Sequence, residues 1–227
     1  IYTLSLHDAL PISSWTDAVQ AAGHVPIDVK ELPVDMLTMS AHKMHGPKGV
    51  GALYMKKGIK LVPLVHGGGQ EYGLNSGTEN VAEIVAFGEA ARLASKMLRE
   101  GEPARVSCLR DKLLDGIVDR IPDSFVTGHR VERLPFHGSV CVRRIEGEGM
   151  LLRMDYAGIG VSSGSACTSG SLDPSHVLLA MGLDHETAHG SVRLTLSRYT
   201  TEEDIDYVLE KFPPIVETLR RMSPYKV

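Results

Sequence analysis

The chain is poor in aromatic residues and in cysteine, and it gathers no charge of one sign in one place. Aromatic side chains make up 5% of its 227 residues, with a single tryptophan, Trp15. The three cysteines, Cys108, Cys141 and Cys167, are odd in number and widely spaced. That excludes a disulfide framework and a CxxC metal site, and it fits a reducing cytoplasm. The formal net charge is −4, with no long run of Lys or Arg, so nothing points to a nucleic-acid or membrane surface. No apolar run approaches the roughly 20 residues that cross a bilayer. There is no internal repeat and no low-complexity tract. Hydrophobic residues at 43% and charged residues at 23% are those of an ordinary globular protein, long enough for one large core or two small ones.

Residues 1–13 have no helical or strand period continuous with the segment after them, and no basic region of a signal peptide. They read as a non-native leader and are set aside. From Trp15 onward the elements alternate. Ala18 to Gly23 makes a short helical turn, Met36 to Ser40 an apolar strand, and Lys48 to Met55 another strand entered through Gly46-Pro47. Ile59 to Gln70 is a loop ending in three glycines. Thr78 reads as the N-cap of a long helix carrying Val81, Ile84, Val85, Leu93 and Met97 at helical spacing. Gly101-Glu102-Pro103 breaks it and marks a domain boundary. A second helix spans Arg105 to Ile121.

The downstream half is mixed. Ser139 to Ile145 alternates like a half-buried strand, Glu148 to Tyr156 is helical, and Ile159 to Ser162 is a short strand. Pro174 to Met181 is helical with Gly182 as C-cap. Gly190 to Ser197 alternates again. Thr200 and Glu203 form a capping box for a last helix that Pro213-Pro214 should kink or end.

Chemistry concentrates in three places. Ser162 to Ser171 reads SSGSACTSGS: five Ser, two Gly, one Ala, one Thr and Cys167. Nothing there can anchor a core, so Cys167 rides on a flexible arm and can travel to a reactive centre and away. Ser40-Ala41-His42-Lys43 follows an apolar strand, where site residues of α/β folds collect. A lysine there can form a Schiff base with a carbonyl cofactor. Asp17, in Asp17-Ala18-Val19-Gln20, is an acid at a strand end, able to pair with a protonated heterocyclic nitrogen. Taken singly, such a lysine is usually a solvated charge and such an acid a helix cap.

Together, Asp17, Gln20, Ser40, His42, Lys43 and Cys167, with the runs SAHKMHGPKGVGALY, HGGGQEYGLNSGTEN and SSGSACTSGSLDPSHVL, resemble the cysteine desulfurases of the class V aminotransferase group. The likeness is to the NifS/IscS branch, with its long mobile cysteine loop, and it covers the chain from about Thr16 onward. It implies an α/β fold of the pyridoxal-phosphate transferase (aspartate aminotransferase-like) type. Residues 14–100 would be the C-terminal part of the cofactor-binding large domain and residues 101–227 a complete α+β small domain. The family is longer, so the chain is expected to be a C-terminal fragment whose sheet lacks part of its partners.

The resemblance also implies roles. Lys43 would hold pyridoxal 5′-phosphate as a Schiff base and move the substrate Cα proton. Asp17 would pair with the pyridinium nitrogen, Gln20 with the phenolic oxygen, and Ser40 and His42 with the phosphate. His42 joins Lys43 and Cys167 in the catalytic set. Thr78, from the other subunit of a homodimer, would complete the phosphate site, and Arg193 would fork onto the substrate carboxylate. Cys167 would take sulfur from L-cysteine as a persulfide, leaving L-alanine. It would pass the sulfur to an acceptor protein of the iron–sulfur scaffold or thiolation type. A selenocysteine lyase, another class V aminotransferase and an inactive truncated chain stay open as alternatives. His45, His66 and His176 lack a completing ligand set, so no metal is expected. Gly46, Gly49 and Gly51 do not form GxGxxG. Cys108 and Cys141 read as core thiols, and Met36, Met39, Met150 and Met154 as core filler.

Overall fold

The computed structural model describes residues 13–163 and 173–222. They divide into two compact units, one up to Glu100 and one from Gly101. In the first, β1 (Trp15–Asp17) and β2 (Met36–Ser40) run parallel, with Trp15 beside Met36 and Asp17 beside Thr38. β3 (Gly51–Met55) returns antiparallel on the other side of β2. It is shorter than the run Lys48–Met55 suggests, because Gly49 turns the chain with φ +86° before pairing begins.

Helix α1 (Val81–Arg99) is capped by Asn80, whose side chain accepts the Glu83 backbone N–H at 3.4 Å. Thr78 is not the cap: an N-cap side chain reaches the N2 or N3 amide, and Thr78 lies two residues too early. The buried stripe of α1 is Phe87, Ala90 and Ala94, which close on Ala22, Ala41 and Met44. Val81, Ile84, Val85 and Leu93, which also recur at helical spacing, are exposed.

In the second unit, α2 (Glu102–Arg120) starts directly after Gly101. Pro103 lies in the first turn, where a missing N–H costs nothing, so the expected break is itself the helix start. Strands β4 (Ser124–Val126), β5 (His137–Val142) and β6 (Ser191–Thr195) form an antiparallel sheet in that order. Helices α3 (Gly147–Tyr156), α4 (His176–Ala180) and α5 (His185–His189) fill the β5–β6 connection. Of Ile159–Ser162, only Ser162 pairs, as an isolated bridge to Arg193.

Val140, Val142, Val192 and Leu194 turn one sheet face to the main core, with Leu113, Leu114 and Ile117 of α2 and Met150 and Met154 of α3. On the other face Cys141 packs with Leu178 and Ala188. Cys108, by contrast, is exposed, because the buried stripe of α2 runs through Val106, Arg110, Leu113 and Ile117.

The last helix, α6 (Glu202–Met222), opens on a reciprocal cap one residue later than expected. Asp204 N–H donates to Thr201 Oγ1 at 3.2 Å, and Thr201 N–H donates to Asp204 Oδ2 at 2.9 Å. It neither ends nor breaks at Pro213-Pro214. Each interior proline costs about 3 kcal/mol. Against that, Ile205, Leu209, Phe212 and Val216 keep helical spacing in the core, and each buried side chain of this size contributes about 1.5–3 kcal/mol.

Candidate active site

In the first unit the parallel pairing of β1 and β2 decides what comes together. Asp17 ends β1 and Ser40 ends β2, so both carboxyl ends open on the same edge of the sheet. That edge is where ligands bind in open α/β sheets. The Ala18 N–H donates to Thr38 O at 3.0 Å and fastens the turn after β1 onto β2. Asp17 Oδ1 accepts the Val19 N–H at 2.9 Å, an Asx turn that fixes the carboxylate. Gln20 follows in the same turn and is exposed.

Beyond Ser40 the chain tightens into a 3₁₀ turn over Ala41–Met44. Ser40 Oγ and His42 Nδ1 share a hydrogen bond of 2.8 Å on the exposed side. Lys43 is pinned at its backbone: its carbonyl accepts His24 Nε2–H at 2.9 Å. The turn is held again by the Gly46 N–H on Ala41 O at 2.9 Å. Gly46 is required there, since a Cβ would stand 2.9 Å from Ala41 O and 3.1 Å from the Ala90 methyl. The Lys43 side chain is half-buried and, among the described residues, has no hydrogen bond or ion pair. A fixed backbone with an uncommitted amine is what covalent chemistry at lysine needs. His24, which the sequence did not single out, is the residue that fixes it. Only its position in the turn after β1 could have signalled that.

Thr78 is exposed and makes no hydrogen bond to this group. In the second unit Arg193 is half-buried on β6, opposite Ser139 of β5. Its backbone exchanges two hydrogen bonds with Ser162, Arg193 N–H to Ser162 O at 2.6 Å and Ser162 N–H to Arg193 O at 3.1 Å. Among the described residues Arg193 Nε is buried without a partner. Ser162, bonded to Arg193, stands five residues before Cys167 in the chain, and Cys167 itself lies outside the described residues.

Two other features involve none of these residues. His185, Glu186 and His189 on α5 spell His-Glu-x-x-His, with the two rings 4.9 Å apart at their centroids. Among the described residues, however, no three His, Cys, Asp or Glu side chains come together to hold a metal. A cavity of about 550 Å³ is lined by Arg120, Pro122, Pro213, Pro214 and Arg220 among others, and by none of the candidate site residues.

The family described as aminotransferase class V matches residues 6–208 of the chain. Over 220 residues, 97% of this chain and 54% of the relative, the sequence is 51% identical to cysteine desulfurase NifS of Azotobacter vinelandii. It is 56% identical to cysteine desulfurase IscS of Clostridium botulinum over 211 residues, 92% of this chain and 53% of the relative. Among solved structures, a NifS-like protein superposes with a TM-score of 0.82 at 39% identity, covering 91% of this chain and 53% of that one. A structure of SspA in complex with cysteine superposes with a TM-score of 0.62 at 31% identity, covering 84% and 52%. The chain spans about half the length of the curated relatives it matches. By the extent of these matches, the chain belongs to the aminotransferase class V family, with the pyridoxal-phosphate transferase fold of its NifS-like relatives.

Proposed function

We propose that the protein is a cysteine desulfurase that uses pyridoxal 5′-phosphate to move sulfur from L-cysteine onto Cys167. The observation that carries this reading is the juxtaposition at one sheet edge of Asp17, the Ser40–His42 pair and an uncommitted Lys43. The 51–56% identity to NifS and IscS desulfurases adds to it. The donor set fits the cofactor. Asp17 offers a carboxylate for a ring nitrogen, Gln20 an amide for the phenolic oxygen, and Ser40 and His42 polar donors for a phosphate. In a homodimer, Thr78 of a second subunit would add to the phosphate contacts.

When bound, the cofactor supplies an electron sink that weakens the bonds at the substrate Cα and its C–S bond. Lys43 would hold the cofactor covalently, and its amine would carry a proton to and from the substrate Cα. His42, next to it, holds its phosphate side. Arg193 forks onto the substrate carboxylate, and its Nε, unpartnered among the described residues, is consistent with an external acceptor. Cys167 attacks the substrate sulfur as a thiolate. A sulfur–sulfur bond forms, the C–S bond breaks with its electron pair left on carbon, and protonation there gives L-alanine. The persulfide then passes to an acceptor protein of the iron–sulfur assembly or thiolation type. Three widely spaced cysteines, of which Cys108 and Cys141 are free thiols, support a reducing, cytoplasmic setting.

The test is made in the complete protein. Borohydride reduction of the cofactor-loaded enzyme followed by peptide mapping should label Lys43. Cys167→Ser should lose sulfide release from L-cysteine while keeping the visible absorbance of the bound cofactor. Label on Lys48 instead, or full desulfuration by the serine variant, would overturn the reading. The second outcome would favour an aminotransferase.

A further inference from the structure

The sheet face turned away from the main core carries alternate residues of each strand: His137, Ser139 and Cys141 on β5, and Ser191, Arg193 and Thr195 on β6. One end of this face is covered, where Cys141 meets Leu178 and Ala188. The other end is polar. There Thr127 Oγ1 donates to Ser139 Oγ at 2.6 Å. Ser139 faces Arg193 across the ladder and His137 faces Thr195. His137 and Arg193 are therefore diagonal neighbours, roughly 7–8 Å apart at the backbone and nearer at the side chains.

Both groups have unused hydrogen-bonding capacity. Among the described residues Arg193 Nε is buried without a partner. Among the described residues neither ring nitrogen of half-buried His137 is bonded. A buried donor such as Arg193 Nε is costly unless something outside the fold meets it, and the His137 ring lies on the same face.

His137 is also held in place. Its N–H donates to Leu134 O at 3.1 Å, and its carbonyl accepts Arg133 Nη1–H at 3.3 Å. Arg110, buried on α2, donates to Leu134 O at 3.1 Å and to Pro135 O at 3.4 Å, which stiffens the turn that presents the ring. The charged groups acting on the ring are Arg133 in that turn, Arg193 on β6 and Arg110 on α2, and no carboxylate among the described residues offsets them. Burial first, then these three cations, hold the imidazole below its ordinary value and keep it neutral near pH 7.

We propose that His137 is a second determinant of the substrate carboxylate, donating a ring N–H to it beside the Arg193 guanidinium. This rests on the proposed role of Arg193. A carboxylate has about four lone-pair sites and a guanidinium fork uses two of them, so a further donor is accommodated. A neutral imidazole supplies that donor without placing a second full charge against Arg193.

The consequence with pH has a definite sign. A bound carboxylate favours the imidazolium, so the His137 pKa rises on binding and the complex takes up a proton. KM for L-cysteine should therefore fall as pH drops through the His137 range. In the cofactor-loaded complete protein, His137→Ala should raise KM about five- to tenfold, the scale of one net hydrogen bond, with little change in kcat. His137→Asn, which keeps an N–H donor but does not titrate, should restore KM near pH 7.5 and flatten its pH dependence.

Independently of turnover, NMR titration of the His137 ring should show its pKa rising on addition of 3-mercaptopropionate, which carries the carboxylate and thiol but no amine. Unchanged KM in both His137 variants, or a ring pKa indifferent to 3-mercaptopropionate, overturns the inference. If the alanine variant fails to fold, the asparagine variant and the ring titration still decide. Arg193→Lys separates the two layers: if it also leaves KM unchanged, the assignment of Arg193 has failed, not only the role of His137.

Discussion

Cys141 and Cys108 carry the same thiol in opposite settings. Cys141 has no exposed surface on β5, and burial pushes its pKa up to about 11. Cys108 is exposed on α2. At pH 8 iodoacetamide should alkylate Cys108 in the native protein and spare Cys141, as read by peptide mass spectrometry. Equal labelling rates would contradict the burial. A folded-state pKa above the unfolded one means that the protonated thiol stabilises the fold. That contribution is complete below the unfolded value and is lost as pH rises toward 11. Cys141→Ala should therefore flatten the stability profile between about pH 8.5 and 11. Both thiols sit in amphipathic segments, so along the chain they look alike. The rotation of α2 about its own axis separates them, and that is set by how Leu113, Leu114 and Ile117 meet the sheet.

Among the elements, α6 is the one whose sequence speaks most clearly against its structure. Two adjacent prolines forfeit local backbone bonds, yet the helix holds because its apolar stripe is fully committed to the core. Phe212→Ala should then cost about 3–5 kcal/mol, measured by urea unfolding. Pro214 is exposed, so Pro214→Ala restores a backbone donor at little loss of packing, and its unfolding midpoint should rise. A fall would mean that the proline ring itself is needed. Gly190→Ala should lower stability markedly, because a Cβ there would collide with the carbonyl of Val142 at the entrance to the strand that carries Arg193. The long helices and β2 were legible in place from apolar spacing, but the caps of α1 and α6 lie two residues and one residue later than read, and the buried stripe of α1 is Phe87, Ala90 and Ala94. β4, with three residues, and α5, with five, were not legible, since neither is long enough to show a period.

At the scale of the molecule the two units are unlike. The second holds a contiguous core of Leu, Ile, Val, Met and Phe spanning the sheet, α2, α3 and α6. The core of the first is largely alanine and methionine around one phenylalanine. Val62, Leu64, Tyr72, Val81 and Val85 stay exposed on it. Residues 101–227 expressed alone should unfold in one cooperative transition, seen by both circular dichroism and intrinsic fluorescence. Residues 13–100 alone should bind ANS and melt without a sharp transition, because the apolar area they bury is too small to offset chain entropy. A cooperative, ANS-silent first unit would refute this account.

By itself, the sequence determined the kinds of groups available and their spacing along the chain: Asp17 before Lys43, serine and histidine just ahead of that lysine, and a thiol among small residues. Chemistry of that kind is local, so it is written in order. Adjacency is not local. The parallel register of β1 and β2 brings Asp17 to the same edge as Lys43, and His24 reaches the Lys43 carbonyl only once that edge exists. The β5–β6 register sets His137 diagonal to Arg193 across more than fifty intervening residues, and no pattern in either segment announces the other. Side-chain identity follows from the codons one residue at a time. Which side chains meet depends on pairing and packing summed over the whole fold, and that only the tertiary structure decided.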